Sequence, residues 1–248
     1  MTMSRFLSQR RPDGDTVLVC FHHAGGGTAL FRGWQENLGP EIAVWPVLLP
    51  GRERRIREPR FTDPALLVKD LAEELGPILD RPHAFFGHSM GALIAHRLTA
   101  LRQQRRERLP SALFVSACAS PRSPVHRSAG LLTDDELIAW LGNLGGLPGE
   151  LLQHPDWLRL TLPVIRDDLE LCRPCPEQIS SVVTCPIHVF GATGDRLATE
   201  AELRGWHDLT EAYGTLELFT GDHFYVKRQP VDLFLLLRTL LRERPQQT

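Results

Sequence analysis

Gly87-His88-Ser89-Met90-Gly91 sets a serine between glycines two residues away on each side, a spacing in which a hydroxyl can serve as a nucleophile. The pattern alone also fits a small residue in a tight turn, so its flanks have to decide. Ala84–Phe86 reads as the end of a strand and Ala92–Leu98 as a helix. A strand running straight into a helix turns so sharply that only glycine fits where side chains would collide, and the serine oxygen is left projecting. The helix start also aims backbone N–H groups at developing negative charge. Ser89 is therefore read as a nucleophile.

A serine hydroxyl attacks only when a base takes its proton and an acid orients the base. On an α/β-hydrolase sheet these groups follow in the order Ser, Asp or Glu, His. Two late histidines compete for the base. His207 falls in a helical pattern and reads as a surface residue. His223, in "FTGDHFYV", follows the strand-like "TLELF" in a glycine-containing loop and is taken as the base. The acid belongs at the end of a strand after the nucleophile. "VSACASP" offers no carboxylate, whereas "VFGATGDRLAT" places Asp195 just past such a strand. Capping the next turn is the alternative role for Asp195. Asp222 is adjacent to His223, too near along the chain to orient its ring. The negative charge built on a carbonyl oxygen needs preorganised donors. The expected ones are the N–H of Met90 and the N–H of Ala24 in "HHAGGG", whose glycines let backbone approach the substrate. His22 and His23 are read as loop histidines at the mouth of the site, and His88 as packing beside the turn.

A sheet has to hold these residues. "TVLVCF", "IAVWPVLLPG", "HAFFGHS", "ALFVSAC", "IHVFGA" and "TLELFTG" are apolar runs without strict alternation, as strands covered on both faces are. Pro46 marks the second as broken or near an edge. Helical patterns separate them: Leu30, Phe31, Trp34 and Leu38 at three- and four-residue spacings, Asp63–Leu79 with Asp63 at its N-cap, and the segment after Ser89. The expected fold is α/β, an α/β-hydrolase with a mostly parallel central sheet and helices on both faces. Residues 1–248 are taken as one domain. Between "ALFVSAC" and "IHVFGA" the chain is far longer than a single crossover needs. Its leucine-rich helices, the first opened by a Thr133–Glu136 capping box, are read as a helical lid inserted at about 122–180. Plain core packing is the alternative for those leucines.

Bulk properties narrow the function. Of 248 residues, 28 are Lys or Arg and 30 Asp or Glu, a net charge of −2 that gives no basic footprint for nucleic acid. The start has basic residues but no apolar core of a signal peptide, and no apolar run spans a membrane, so a cytoplasmic protein is expected. The five cysteines, 20, 118, 172, 175 and 185, are odd in number and scattered, which argues against a disulfide framework. Cys172 and Cys175 have Cys-x-x-Cys spacing without a second pair, and are read as incidental rather than as a zinc site.

With these residues in hand, the sequence resembles the type II thioesterases that accompany polyketide and nonribosomal peptide synthases. The stretches that carry the resemblance are "CFHHAGGG", "LPGRERR", "GHSMGALIA", "LTDDELI", "GATGD" and "GDHFYV", in the family's order over nearly the whole chain. Two differ locally, "FHHAGG" near its second histidine and "GDHF" where a second glycine is common; neither alters a triad member. The resemblance implies hydrolysis of acyl thioesters on the phosphopantetheine arms of acyl or peptidyl carrier proteins. In the family this clears short or aberrant groups from stalled synthases, and in some members releases a product. It implies no metal and no cofactor, and a monomer is expected. Carrier proteins are usually acidic, so Arg54 and Arg55 in "GRERRIREPR" are candidate docking residues, with a structural role in the loop as the alternative. Two rival readings stay open: a carboxylesterase or lipase acting on oxygen esters, and a non-catalytic ligand-binding relative.

Overall fold

The computed structural model describes residues 4–7, 12–123, 132–144, 155–174 and 181–242, with only the backbone of 155–158 and 160. Six strands, β1 (Thr16–Phe21), β2 (Ile42–Pro46), β3 (His83–His88), β4 (Leu113–Ser116), β5 (Ile187–Ala192) and β6 (Leu216–Phe219), form one sheet in the order β2-β1-β3-β4-β5-β6. Every pair of neighbours is parallel. The chain steps from β1 out to β2 and then returns past β1 to β3. The loops leaving β1 and β3 therefore diverge, and that crevice at the strands' carboxyl ends is where α/β sheets bind ligands.

Alternate residues of each strand feed two separate cores. Val17, Val19 and Phe21 of β1, with Phe85, Val115 and Val189, pack under α2 (Pro64–Leu75) and α3 (Met90–Gln104). Leu18 and Cys20, with Phe86, Phe114 and Phe190, face α1 (Trp34–Leu38) and α7 (Val231–Arg242) on the other side. Leu67, Leu71 and Leu75 of α2 are fully buried, each stabilising the fold by roughly 1.5–3 kcal/mol. Asp63 caps α2, its Oδ1 accepting from Ala65 N–H at 2.8 Å and Leu66 N–H at 3.4 Å.

Several elements are shorter than their sequence patterns predict. The second strand ends at Pro46, whose nitrogen, lacking an N–H, lies on the unpaired side of this edge strand; Val47 N–H still donates to Cys20 O at 2.8 Å. Beyond it Leu48 N–H donates to Phe6 O at 2.8 Å. The pattern from Leu30 to Leu38 is broken by Gly33 at φ +82°, which separates a 3-10 turn at Thr28–Phe31 from α1. Likewise α2 ends at Leu75, where Gly76 and Pro77 open a 3-10 turn.

Between β4 and β5 lie α4 (Asp134–Asn143) and α5 (Pro155–Glu170). The expected Thr133–Glu136 capping box is present at the start of α4. Leu137 and Leu141 of α4 meet Leu162 and Ile165 of α5 in a third apolar cluster of their own. The parts of the expected insertion at 124–131, 145–154 and 175–180, with Cys175, lie outside the described residues. Helix α3 holds the return from this insertion: Arg97 donates to the carbonyls of Leu171 and Arg173, and His96 Nε2 lies 3.1 Å from Ser181 O. Gln103 grips both sides of its stretch, donating to Val182 O and accepting from Thr184 N–H. The short α6 (Glu200–Arg204) completes the helices that follow β5.

Loss of solvent lowers the proton affinity of six histidines in this frame. Burial holds His22, His83, His96 and His188 down to about 4, and His23 and His88 well below the ordinary value. The unfolded chain takes up protons near 6.5, so it binds more than the folded state between about pH 6.5 and 4. Stability, fully present above this window, falls as pH drops through it, by up to about 1.4 kcal/mol per unit for each buried histidine. Urea unfolding from pH 4.5 to 8 is expected to show that acid limb, and His96→Gln to reduce its slope by about one proton.

Candidate active site

Steric exclusion builds the turn after β3. A Cβ on Gly87 would lie 2.3 Å from the carbonyl oxygen of Gly91, and one on Gly91 would lie 2.1 Å from that of Phe21. Both obstacles are backbone, so neither position accepts a side chain. Between them Ser89 is held at φ +55°, ψ −122°, a conformation that costs a non-glycine residue about 1–3 kcal/mol. Two bonds fix it: Ser89 N–H donates to Ser116 O at 2.8 Å, and Ser89 O accepts from Ala92 N–H at 2.9 Å.

Ser89 Oγ projects toward the loop after β6, where His223 Nε2 stands 3.1 Å away. On the other side of that ring, Nδ1 lies 2.8 Å from Asp195 Oδ2. A carboxylate only accepts, so Nδ1 carries the proton and Nε2 presents its lone pair to the serine hydroxyl. Asp195 also caps its turn, Oδ1 accepting from Leu197 N–H at 2.8 Å and Ala198 N–H at 3.2 Å. The two roles weighed for Asp195 are thus not alternatives, because each uses its own oxygen. Asp222 is occupied elsewhere, accepting from Phe224 N–H and pairing with Arg228.

Behind His223 a buried polar chain runs from Tyr225 Oη to Ser116 Oγ at 2.8 Å and on to His88 Nδ1 at 2.9 Å. The His88 ring lies 5.5 Å from that of His223, so a second cation there would repel the charge that forms on His223. Burial, and then that neighbouring imidazole, keep His88 neutral. His88 therefore does more than pack beside the turn. Ser116 and Tyr225 were not singled out in the sequence, although Tyr225 stands two residues after His223.

The loop after β1 corrects another expectation. His22 is 1% exposed, with its Nδ1 2.8 Å from His23 O, so it points into the protein and not at the mouth. His23 is half-buried, its ring edge-on to Phe224 at 4.9 Å. Gly26 N–H donates to His23 O at 2.9 Å, closing a turn with Gly25 at φ +73°. Gly25 N–H is taken by Asp168 Oδ2 at 2.7 Å and Gly26 O by Arg52 Nη1 at 3.0 Å. Among the described residues no acceptor takes the Ala24 N–H. Met90 opens α3, so its N–H has no acceptor within the helix.

The arginine-rich loop divides its side chains: Arg52 and Arg55 are buried, and Arg54, Arg57 and Arg60 are exposed. Arg55 is 4% exposed, paired with Glu58, bonded to Leu48 O at 2.8 Å and stacked on Phe6 at 4.6 Å. These partners fit the structural role in the loop that was the alternative reading for Arg55. Arg54 is exposed, but its guanidinium donates to Leu7 O at 2.8 Å. Arg60 pairs with Asp167 at 2.6 Å and Arg52 with Asp168 at 2.7 Å, so consecutive aspartates of α5 bind the loop. The Cys172 thiol is buried and pushed up to about 12, which keeps it protonated and unreactive. Among the described residues no group of three or more His, Cys, Asp and Glu is placed to share a metal, and no helix is long and apolar enough to cross a membrane.

A strained serine, a histidine and a carboxylate joined in line on a parallel sheet define the serine-hydrolase class of the α/β-hydrolase fold. Comparison with known proteins narrows this. The thioesterase domain pattern matches residues 16–239, and the chain belongs to the thioesterase family, enzymes that hydrolyse acyl thioesters. It is similar to linear gramicidin dehydrogenase LgrE of Brevibacillus parabrevis, with 33% identity over 238 residues covering 93% of this chain and 89% of the relative. The RedJ thioesterase from the prodiginine pathway of Streptomyces coelicolor superposes with a TM-score of 0.86 at 34% identity, over 92% of this chain and 91% of that one. The type II thioesterase BorB from the borrelidin biosynthetic cluster gives 0.82 at 30% identity, over 98% and 100%.

Gly91→Ala is expected to cost about 3 kcal/mol or more, since the added carbon meets rigid backbone. Thermal unfolding beside Gly76→Ala, whose position has nothing within 4 Å, is the check.

Proposed function

We propose that the protein removes short or aberrant acyl groups from the phosphopantetheine arms of acyl or peptidyl carrier proteins, restoring stalled polyketide or nonribosomal peptide synthases. The observation that carries this reading is the line Asp195–His223–Ser89, with the N–H groups of Ala24 and Met90 taken as its oxyanion donors. Similarity to thioesterases of the prodiginine pathway and the borrelidin cluster supports a substrate from such a biosynthetic pathway. Residues 1–248 act as one domain, with about 122–180 as a lid, and as a monomer in the cytoplasm.

In this mechanism His223 Nε2 takes the Ser89 proton as Oγ attacks the thioester carbonyl. The oxyanion is met by the N–H groups of Ala24 and Met90. The tetrahedral intermediate collapses, the C–S bond breaks, and the proton on His223 passes to the departing thiolate. Water, deprotonated by the same histidine, then attacks the acyl-serine; the C–Oγ bond breaks, the proton on His223 returns to Ser89 Oγ, and the acid is released. Asp195 holds the ring and balances its positive charge throughout. These steps call on no metal or cofactor. The redox activity in the name of the Brevibacillus relative belongs to that protein; here neither the loop after β1 nor the turn after β3 has the G-x-G-x-x-G run of a dinucleotide site.

The same triad would cleave oxygen esters, so substrate comparison is the test. Acyl carrier proteins loaded from acetyl to medium chains, followed by intact mass, are expected to lose their short acyl groups faster than matched oxygen esters are cleaved. Ser89→Ala should abolish this, and Asp195→Asn lower kcat by on the order of 10³–10⁴. Rapid ester cleavage with carrier thioesters untouched would replace the reading with an esterase. Docking on the arginine loop now rests on its exposed members. Arg54→Ala with Arg57→Ala is expected to raise KM severalfold for the carrier-bound thioester and leave a small soluble thioester unchanged; equal effects on both would exclude docking there.

A further inference from the structure

Asp168 sits on α5, in the insertion, yet its carboxylate is spent entirely on residues from the other side of the site. It is 1% exposed. Oδ2 accepts from Gly25 N–H at 2.7 Å and from Arg52 Nη1 at 2.7 Å, while Oδ1 accepts from Arg52 Nη2 at 2.7 Å. Arg52 Nη1 carries on to Gly26 O at 3.0 Å, and its Nε lies 3.3 Å from Pro50 O. The pair thus grips an N–H and a C=O on consecutive residues, Gly25 and Gly26, immediately after Ala24. Ile165, one helical turn before Asp168, closes the same point: a Cβ on Gly25 would lie 2.6 Å from its Cγ1.

Stability alone gives a weak reason for this arrangement. Desolvating two charges offsets much of their attraction, and an apolar pair of similar volume often does as well. What an apolar pair cannot do is fix the direction of an irregular loop's backbone. A bidentate guanidinium–carboxylate fork has one geometry, and here that geometry is passed to the two peptides following Ala24.

We propose that Asp168 and Arg52 are positioning residues of the reaction, holding the glycine loop so that the Ala24 N–H faces the developing oxyanion. Oxyanion stabilisation is thereby tied to the seating of α5, and the site is complete only while that helix is docked. This rests on the proposed role of Ala24 as an oxyanion donor.

The test uses two variants. Arg52→Met with Asp168→Leu removes both charges, so neither is left orphaned; Asp168→Asn keeps an acceptor for Gly25 N–H but breaks the fork to Arg52. For each, kcat and KM on a soluble acyl thioester are measured with the unfolding midpoint. So are the inhibition constants of an alkylboronic acid, which adds to Ser89 as a tetrahedral anion, and of the carboxylate product, which does not. In the double variant kcat should fall on the order of 10²-fold with KM little changed, as when one oxyanion donor is lost. The boronate should weaken by a similar factor and the product acid not at all. Asp168→Asn should show about a tenfold version of the same split, and it decides the matter if the double variant does not fold. Unchanged kcat, or boronate and acid weakening together, would overturn the proposal. Wild-type turnover that is indifferent to Ser89→Ala would instead overturn the underlying reading of the site, whatever the variants do.

Discussion

The first turn of α3 presses backbone against backbone on the end of β1, and the rest of the site depends on that contact. Only the missing side chains of Gly87 and Gly91 allow it. It draws the turn carrying Ser89 up against the loop carrying Ala24, at the point where the sheet reverses its strand order. The strain stored at Ser89 persists because the surroundings over-determine it: β4 takes its N–H, α3 takes its carbonyl, and α3 is buried along nearly its whole length. A local cost of a few kcal/mol is tolerable when tens of buried apolar side chains oppose its release.

Around this steric frame a few polar groups set the geometry. Asp195 divides its oxygens between its own turn and His223, which removes its freedom to swing away. The neighbouring imidazoles of His23 and His88 are kept neutral by burial, so neither adds a positive charge of its own beside the one that forms on His223. The buried charged pair of Arg52 with Asp168 is internally balanced and directed at backbone.

Much of this was legible from the chain. Ser89, His223 and Asp195 could be placed because strand, turn and helix each leave a local signature, and the structure brings the three within hydrogen-bonding distance of one another. Asp63 and Thr133 announced helix starts for the same local reason. What failed was long-range. Nothing near Arg52 or Arg55 in sequence says that one meets Asp168 and the other Phe6, so which two arginines of the run turn inward could not be read from it. His22 and His23 are adjacent and identical in type, and only the packing around them shows which turns inward.

The moorings of α3 have one more consequence. Arg97, His96 and Gln103 clasp the backbone of residues 171–173 and 181–184, and they do so mostly through carbonyl groups that any residue would offer. The joint is therefore blind to sequence on the insertion's side. Meanwhile α4 and α5 carry an apolar cluster of their own, apart from the two cores of the sheet. Such a joint divides the molecule into a chassis and an exchangeable cover: helices can be lengthened, shortened or traded between relatives without disturbing the strands that hold the serine. Diversification of what the enzyme accepts is thereby uncoupled from the preservation of how it reacts, except where side chains of the cover itself reach the loops of the sheet, as Asp168 does to Arg52 and Asp167 to Arg60.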